Sequence, residues 1–187
     1  MTAMLEAALE YARRGIPVFP VKPKGMAPLT RKGFKDATTD EKQILAWWEK
    51  WPNANIGLVP GPADLVVVDY DGEEGLVFAR ERGWLEEETP SVVTDRGRHF
   101  YYTKPPDSHI RYAQPHPQID LRSDGGYVLA PPSIHPSGHA YVWENVELEF
   151  APLPEDMLRA VKDGKASTLV EGGGRALPGD SRKEPVE

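Results

Sequence analysis

Apolar and polar positions alternate along this chain in two rhythms, and the change of rhythm marks its elements. Leu5, Ala8, Leu9 and Ala12 keep helical spacing and Gly15 ends it, which predicts a helix over 3–14. Residues 16–21 read as a strand, and 22–37 as a loop rich in Lys, Gly and Pro. Thr38 and Glu41 have the spacing of a capping box, predicting a helix over about 40–50. Ile44, Leu45, Trp47 and Trp48 are its expected apolar face, with the tryptophans read as core rather than as a platform for bases. Residues 55–59 form a short strand closed by Pro60-Gly61-Pro62. The run Leu65-Val66-Val67-Val68 reads as a buried strand, followed by a helix over 73–82 capped by Gly83. Residues 91–94 and 99–103 flank Asp95-Arg96-Gly97-Arg98 as a hairpin. Three more strands are expected at 119–122, 126–130 and 140–143, and a last helix at 154–162. From about Gly164 the periodicity vanishes, and 164–187 reads as a disordered tail or linker. There are no internal repeats. The expected architecture is α+β: one domain over 1–163 with a mostly antiparallel sheet flanked by helices.

Composition narrows the class. The 187 residues are 40% hydrophobic, enough for one compact core plus a loose end. With no Cys, disulfides and Cys-zinc sites are excluded. No apolar run approaches a membrane span and no signal-peptide pattern is present, so a soluble cytoplasmic protein is expected. The net charge of −7 argues against a protein that coats nucleic acid through bulk charge. A local basic patch is still available, because Arg13, Arg14, Lys22, Lys24, Arg31, Lys32 and Lys35 crowd a stretch whose acids are Glu6 and Glu10. An ordinary solvated surface would look the same.

The candidate chemistry starts where the apolar run ends, in Asp69-Tyr70-Asp71-Gly72. Strand alternation puts Asp69 and Asp71 on one face. Two adjacent carboxylates repel, and a hard divalent cation such as Mg2+ or Mn2+ suits oxygen ligands. A strand ending in an Asp-x-Asp-Gly turn would show the same residues. Polar positions also alternate in His99-Phe100-Tyr101-Tyr102 and in Ile119-Asp120-Leu121-Arg122, while Ser133 and His135 stand in a proline-bounded loop. Read singly, His99 is an ordinary strand histidine, Asp120 and Arg122 an ion pair, and Ser133 and His135 a hydrogen-bonded loop.

In order and spacing these pieces resemble the bifunctional primase–polymerase domain of the archaeo-eukaryotic primase superfamily. The likeness covers about residues 4–145. It runs through Tyr11-Ala12-Arg13-Arg14-Gly15-Ile16-Pro17-Val18-Phe19-Pro20, Gly33-Phe34-Lys35-Asp36-Ala37-Thr38-Thr39-Asp40 and Asn53-Ala54-Asn55-Ile56-Gly57. It continues through Asp69-Tyr70-Asp71, Thr94-Asp95-Arg96-Gly97-Arg98-His99, Ile119-Asp120-Leu121-Arg122-Ser123-Asp124-Gly125-Gly126-Tyr127 and Ala130-Pro131-Pro132-Ser133-Ile134-His135-Pro136-Ser137-Gly138. The resemblance implies a palm-like catalytic domain over 1–163. Asp69, Asp71 and Asp120 would be catalytic metal ligands for Mg2+ or Mn2+ in a two-metal site. His99 would contact the incoming triphosphate, with Arg122, Ser133 and His135 also at the nucleotide. DNA template and primer, ribo- or deoxyribonucleoside triphosphates, and a fused or associated helicase are the implied partners. Two departures stand out: Gly97 occupies a place where the family often has Ser, and Met26 stands where it often has Lys before Pro.

The chemistry so implied is template-directed nucleotidyl transfer. A 3′-hydroxyl attacks the α-phosphate of a nucleoside triphosphate, and two metals roughly 3.5–4 Å apart clamp the attacking and leaving oxygens. The triphosphate tail needs further donors, which His99, Arg122, His135 and Arg96 or Arg98 would supply. Two other readings compete. A phosphatase of the haloacid dehalogenase type would use Asp69 as nucleophile and Asp71 as general acid, although Glu73 follows Gly72 where that motif usually has Thr. A non-catalytic replication or DNA-binding module would keep the fold and lose the chemistry. An EF-hand is disfavoured because the sixth loop place from Asp69 is Glu74 rather than Gly.

Overall fold

The structure, a computed structural model, describes residues 1–162. The tail expected over 164–187 lies outside the described residues. In chain order the elements are α1 (Ala3–Arg13), β1 (Val18–Val21), α2 (Glu41–Lys50), β2 (Asn55–Leu58), β3 (Leu65–Asp71) and α3 (Gly72–Glu81). They continue with β4 (Ser91–Val93), β5 (Gly97–Thr103), β6 (Ala113–His116), β7 (Ile119–Arg122), β8 (Val128–Ala130), β9 (Val142–Glu144), β10 (Ala151–Pro152) and α4 (Glu155–Lys162). The class is α+β with a palm-like arrangement, as expected.

The apolar run of β3 makes it the central strand of the larger sheet. Its neighbours β5 and β7 are both antiparallel to it, and the order β6-β7-β3-β5-β4-β9 follows, with β10 pairing parallel to the end of β5. Both faces of this sheet are covered, which is why Leu65-Val66-Val67-Val68 is apolar without alternation. On one face Val66, Val68, Tyr70, Phe100, Tyr102, Ile119 and Leu121 pack against Leu76 and Ala79 of α3 and Met157 of α4. On the other, Leu65, Val67, Val92 and Tyr101 pack toward a second, three-stranded sheet, β1-β2-β8, and toward α1 and α2. Burying each of these aliphatic side chains contributes roughly 1.5–3 kcal/mol. The sequence expectation pictured one sheet; residues 126–130 instead contribute β8 to the smaller one, where it pairs with β2.

Local differences have local causes. Thr38 does not cap α2: its backbone is already paired with Val18, and Asp40 caps instead, its Oδ1 accepting from Lys42 N at 3.0 Å. Ile44 and Trp48, one turn apart, are the buried face of α2; Leu45, about 100° round the helix, is exposed. Strand β6 was not expected, because its Ala-Gln-Pro-His run does not alternate and its pairing with β7 carries an irregularity. Strand β5 begins two residues earlier than expected, at Gly97.

Candidate active site

The face of the large sheet that meets the small sheet changes character along β3. Leu65 and Val67 belong to the core, whereas Asp69 and Asp71, further along the same face, line a cleft of about 640 Å³. Register then decides what stands beside them. Asp69 is paired with His99 on β5 and with Asp120 on β7. Paired residues project to the same side of a sheet and neighbouring strands lie about 4.8 Å apart, so Asp120, Asp69 and His99 form one transverse row. Arg122 stands one step along, opposite Val67. Asp71 is opposite Gly97, whose hydrogen leaves room for the chain: a Cβ there would lie 1.8 Å from the Tyr70 carbonyl oxygen. The absence of a Ser hydroxyl at that position is therefore imposed by backbone packing.

Each carboxylate has a cationic or hydroxyl neighbour. His99 Nε2 is 3.7 Å from Asp69 Oδ2, and Arg96 reaches Asp71 Oδ2 at 3.7 Å. Arg122 lies 3.9 Å from Asp120 Oδ2, and the Tyr112 hydroxyl donates to Asp120 Oδ1 at 3.1 Å. Burial works to raise the Asp69 carboxyl, yet His99, Arg122 and Arg96 outweigh it and hold it below its ordinary range. Asp120 moves the other way: burial raises it, Asp69 adds to the rise, and Arg122 and Tyr112 only partly offset both. His99 is almost wholly buried, and its Nδ1 has no hydrogen-bond partner.

The fit to a divalent cation follows from this donor set. Asp69, Asp71 and Asp120 present hard carboxylate oxygens on one face, and Asp120 is raised chiefly by burial, with Asp69 adding a smaller part. Among the described residues, no group of three or more His, Asp or Glu side chains forms a cluster that could hold a metal ion. Asp71 leans to Arg96, and Asp120 to Tyr112 and Arg122. The residue types fit the ion; gathering the three would require turning these side chains from their present partners.

The remaining sequence candidates divide. His135 and Arg122 line the cleft. Ser133 does not: it is fully buried, and its Oγ accepts from Ile56 N at 2.8 Å, pinning the 131–139 loop to β2. Of the hairpin arginines, Arg96 faces the cleft, while Arg98 is paired with Glu144. In the basic loop the cleft-lining cations are Arg31 and Lys32 rather than Lys22 or Lys24, and Met26 lines the same cleft while packing against the core. Ser123 and Asp124 of the long motif hold the framework. Ser123 Oγ donates to the Leu65 carbonyl at 2.7 Å, and Asp124 pairs with the buried Lys104 at 2.9 Å.

Sequence reasoning missed several groups here. Tyr112 comes from an irregular segment with no periodicity to announce it, and its ring lies 4.6 Å from the Arg122 guanidinium carbon. Asn55 looked like a strand residue. Its side chain accepts from Ile134 N at 2.9 Å and donates to the carbonyls of Ile134 and Gly25, linking the basic loop to the His135 loop. Tyr141, whose hydroxyl burial pushes up to about 12 with Asp69 and Asp95 adding to the rise, stays protonated at the cleft.

Comparison with known proteins adds one finding. The family model for the bifunctional DNA primase/polymerase, N-terminal domain, matches residues 8–156. No curated protein matches the chain.

Proposed function

Since the chain belongs to the bifunctional DNA primase/polymerase family through its N-terminal domain, we propose that its cleft carries out template-directed nucleotidyl transfer from nucleoside triphosphates. DNA and nucleotides are the substrates that membership implies. The observation that carries the reading is the transverse row Asp120–Asp69–His99, with Arg122 beside it, of which Asp69, His99 and Arg122 line one cleft.

In this reading a primer 3′-hydroxyl attacks the α-phosphate of the bound triphosphate, and pyrophosphate leaves. Asp69, Asp71 and Asp120 would hold Mg2+ or Mn2+, which when bound supplies charge neutralisation at the attacking and leaving oxygens. The chain's own cations meet the rest of the negative charge. His99, Arg122, Arg96 and His135 ring the cleft and are placed to orient the triphosphate tail. Ser133 contributes by fixing the loop that carries His135. Asp69 suits a ligand role because it remains ionised at neutral pH. Family membership points away from the phosphatase reading, and the retained carboxylates speak against a purely binding module. A helicase partner belongs to the same proposal and rests on the family resemblance alone. Among the described residues no helix is long and apolar enough to cross a membrane.

Primer extension with labelled dNTPs tests the proposal, run with and without primer and in Mg2+ and in Mn2+. Asp69→Ala is expected to lower incorporation by about a thousandfold or more while the circular dichroism spectrum is kept. His99→Ala is expected to raise the nucleotide KM about tenfold and leave DNA affinity unchanged. Wild-type-like extension by Asp69→Ala would end the catalytic assignment, and lost DNA affinity with unchanged KM would move His99 away from the triphosphate.

A further inference from the structure

One hydrogen-bonded chain at the cleft edge has no place in the reaction so far. The hairpin tip and the 131–139 loop meet there. Ser137 Oγ donates to Asp95 Oδ1 at 2.9 Å, and the same oxygen lies 2.9 Å from His135 Nδ1. Asp95 Oδ2 is itself 3.8 Å from Nδ1. The hairpin residue after Asp95 is Arg96, which reaches Asp71, so one tip touches both the carboxylates and the histidine loop.

The direction of these bonds matters. A carboxylate only accepts, so Asp95 takes the Ser137 hydroxyl proton and leaves the Ser137 oxygen offering lone pairs to the ring. A ring nitrogen that meets lone pairs is best served by carrying a proton. The Ser137 backbone N–H also lies 3.1 Å from Nδ1, where it serves the unprotonated ring. The two contacts are alternatives, one for each protonation state. His135 N is fixed by the His139 carbonyl at 2.8 Å, which holds the residue in place while its ring responds. The ring's other charged and titratable surroundings are few. From its own segment comes Tyr141, with ring centroids 6.3 Å apart and a hydroxyl that stays neutral; from the hairpin comes Asp95. Among the described residues Asp95 is the charge that His135 faces directly.

We propose that Asp95 is a positioning residue for nucleotide binding: acting through the Ser137 hydroxyl, it aligns the His135 ring so that Nε2–H is presented to a triphosphate oxygen. The idea rests on the function proposed above and names how one of its donors is oriented. A carboxylate held behind one ring nitrogen through a hydroxyl fixes where the other nitrogen points.

Calorimetric affinity of the full chain for dATP with Mg2+ is the readout, in a double-mutant cycle with His135→Gln. Asp95→Ala and Ser137→Ala are each expected to weaken binding about fivefold in the wild-type background and to have no further effect once His135→Gln is present. Losses that add to that of His135→Gln would mark a contact independent of the ring and overturn the proposal, as would unchanged affinity in Asp95→Ala. A wild-type chain that binds dATP but never extends a primer would sink the polymerase reading and leave this coupling standing.

Discussion

Asp120 and Gly97 show what single residues contribute to this site. The Asp120 carboxyl is raised by burial and by Asp69, so the folded chain holds its proton more tightly than the unfolded chain does. Stability from this group is therefore full at low pH and falls as pH rises from the ordinary carboxylate range through the raised value. Asp69, held low, acts in the opposite sense and loses its contribution on acidification. Asp120→Asn should remove the Asp120 slope and raise the metal-free Tm at pH 7.5 by about 2 °C, while abolishing the extra Tm gained on adding Mn2+ to wild type. Differential scanning calorimetry with and without Mn2+ checks both; a stabilising response to Mn2+ that survives the substitution would remove Asp120 from the ligand set. At Gly97 the constraint is steric. Gly97→Ala forces a Cβ into the Tyr70 carbonyl and should lower stability by about 3 kcal/mol in urea unfolding, since neither strand can move without breaking the ladder.

At the scale of elements, the site is assembled by two loops tied to strands. Ser133 fastens the 131–139 loop to Ile56, and Asn55 fastens the same loop and the basic loop to β2. Asn55→Ala leaves backbone groups of Ile134 and Gly25 without their partner. The expected cost is about 2 kcal/mol, with loss of hydrogen-exchange protection centred on the Ile134 amide. Protection unchanged there would show that the prolines alone hold the loop. The sequence pattern located nearly every helix and strand of this framework, because each has its own periodicity and stop signals. It did not find β6 or β10, which are short, contain proline and do not alternate. It also placed the α2 cap at Thr38, since spacing cannot reveal that Thr38 is engaged with Val18.

For the whole molecule, the cleft exists because one sheet is covered on both faces by different layers. Helices α3 and α4 close one side, and the small sheet with α1 and α2 covers only part of the other; beyond its edge Asp69, His99 and Arg122 line the cleft. Met157 of α4 is fully buried in the core, and the family match ends at residue 156. A chain ending at Lys162 should therefore melt within about 2 °C of the full chain and keep its extension activity. A much lower Tm would mean that residues beyond 162 belong to the folding unit.

Alternation by itself determined that Asp69 and Asp71 share a face at the end of a buried strand, and that Asp120 and Arg122 share another. These are properties of one segment, readable from the two-residue repeat of extended backbone. Only the tertiary structure decided that the two faces are the same one, because register between distant strands depends on the packing of the intervening elements and not on either segment. The same long-range pairing buried Ser133, brought Arg31 and Lys32 rather than Lys22 to the cleft, and set Asp95 against the histidine loop. Such contacts form between loops whose own residues carry no periodic signal, so they appear only once the sheets have closed on each other.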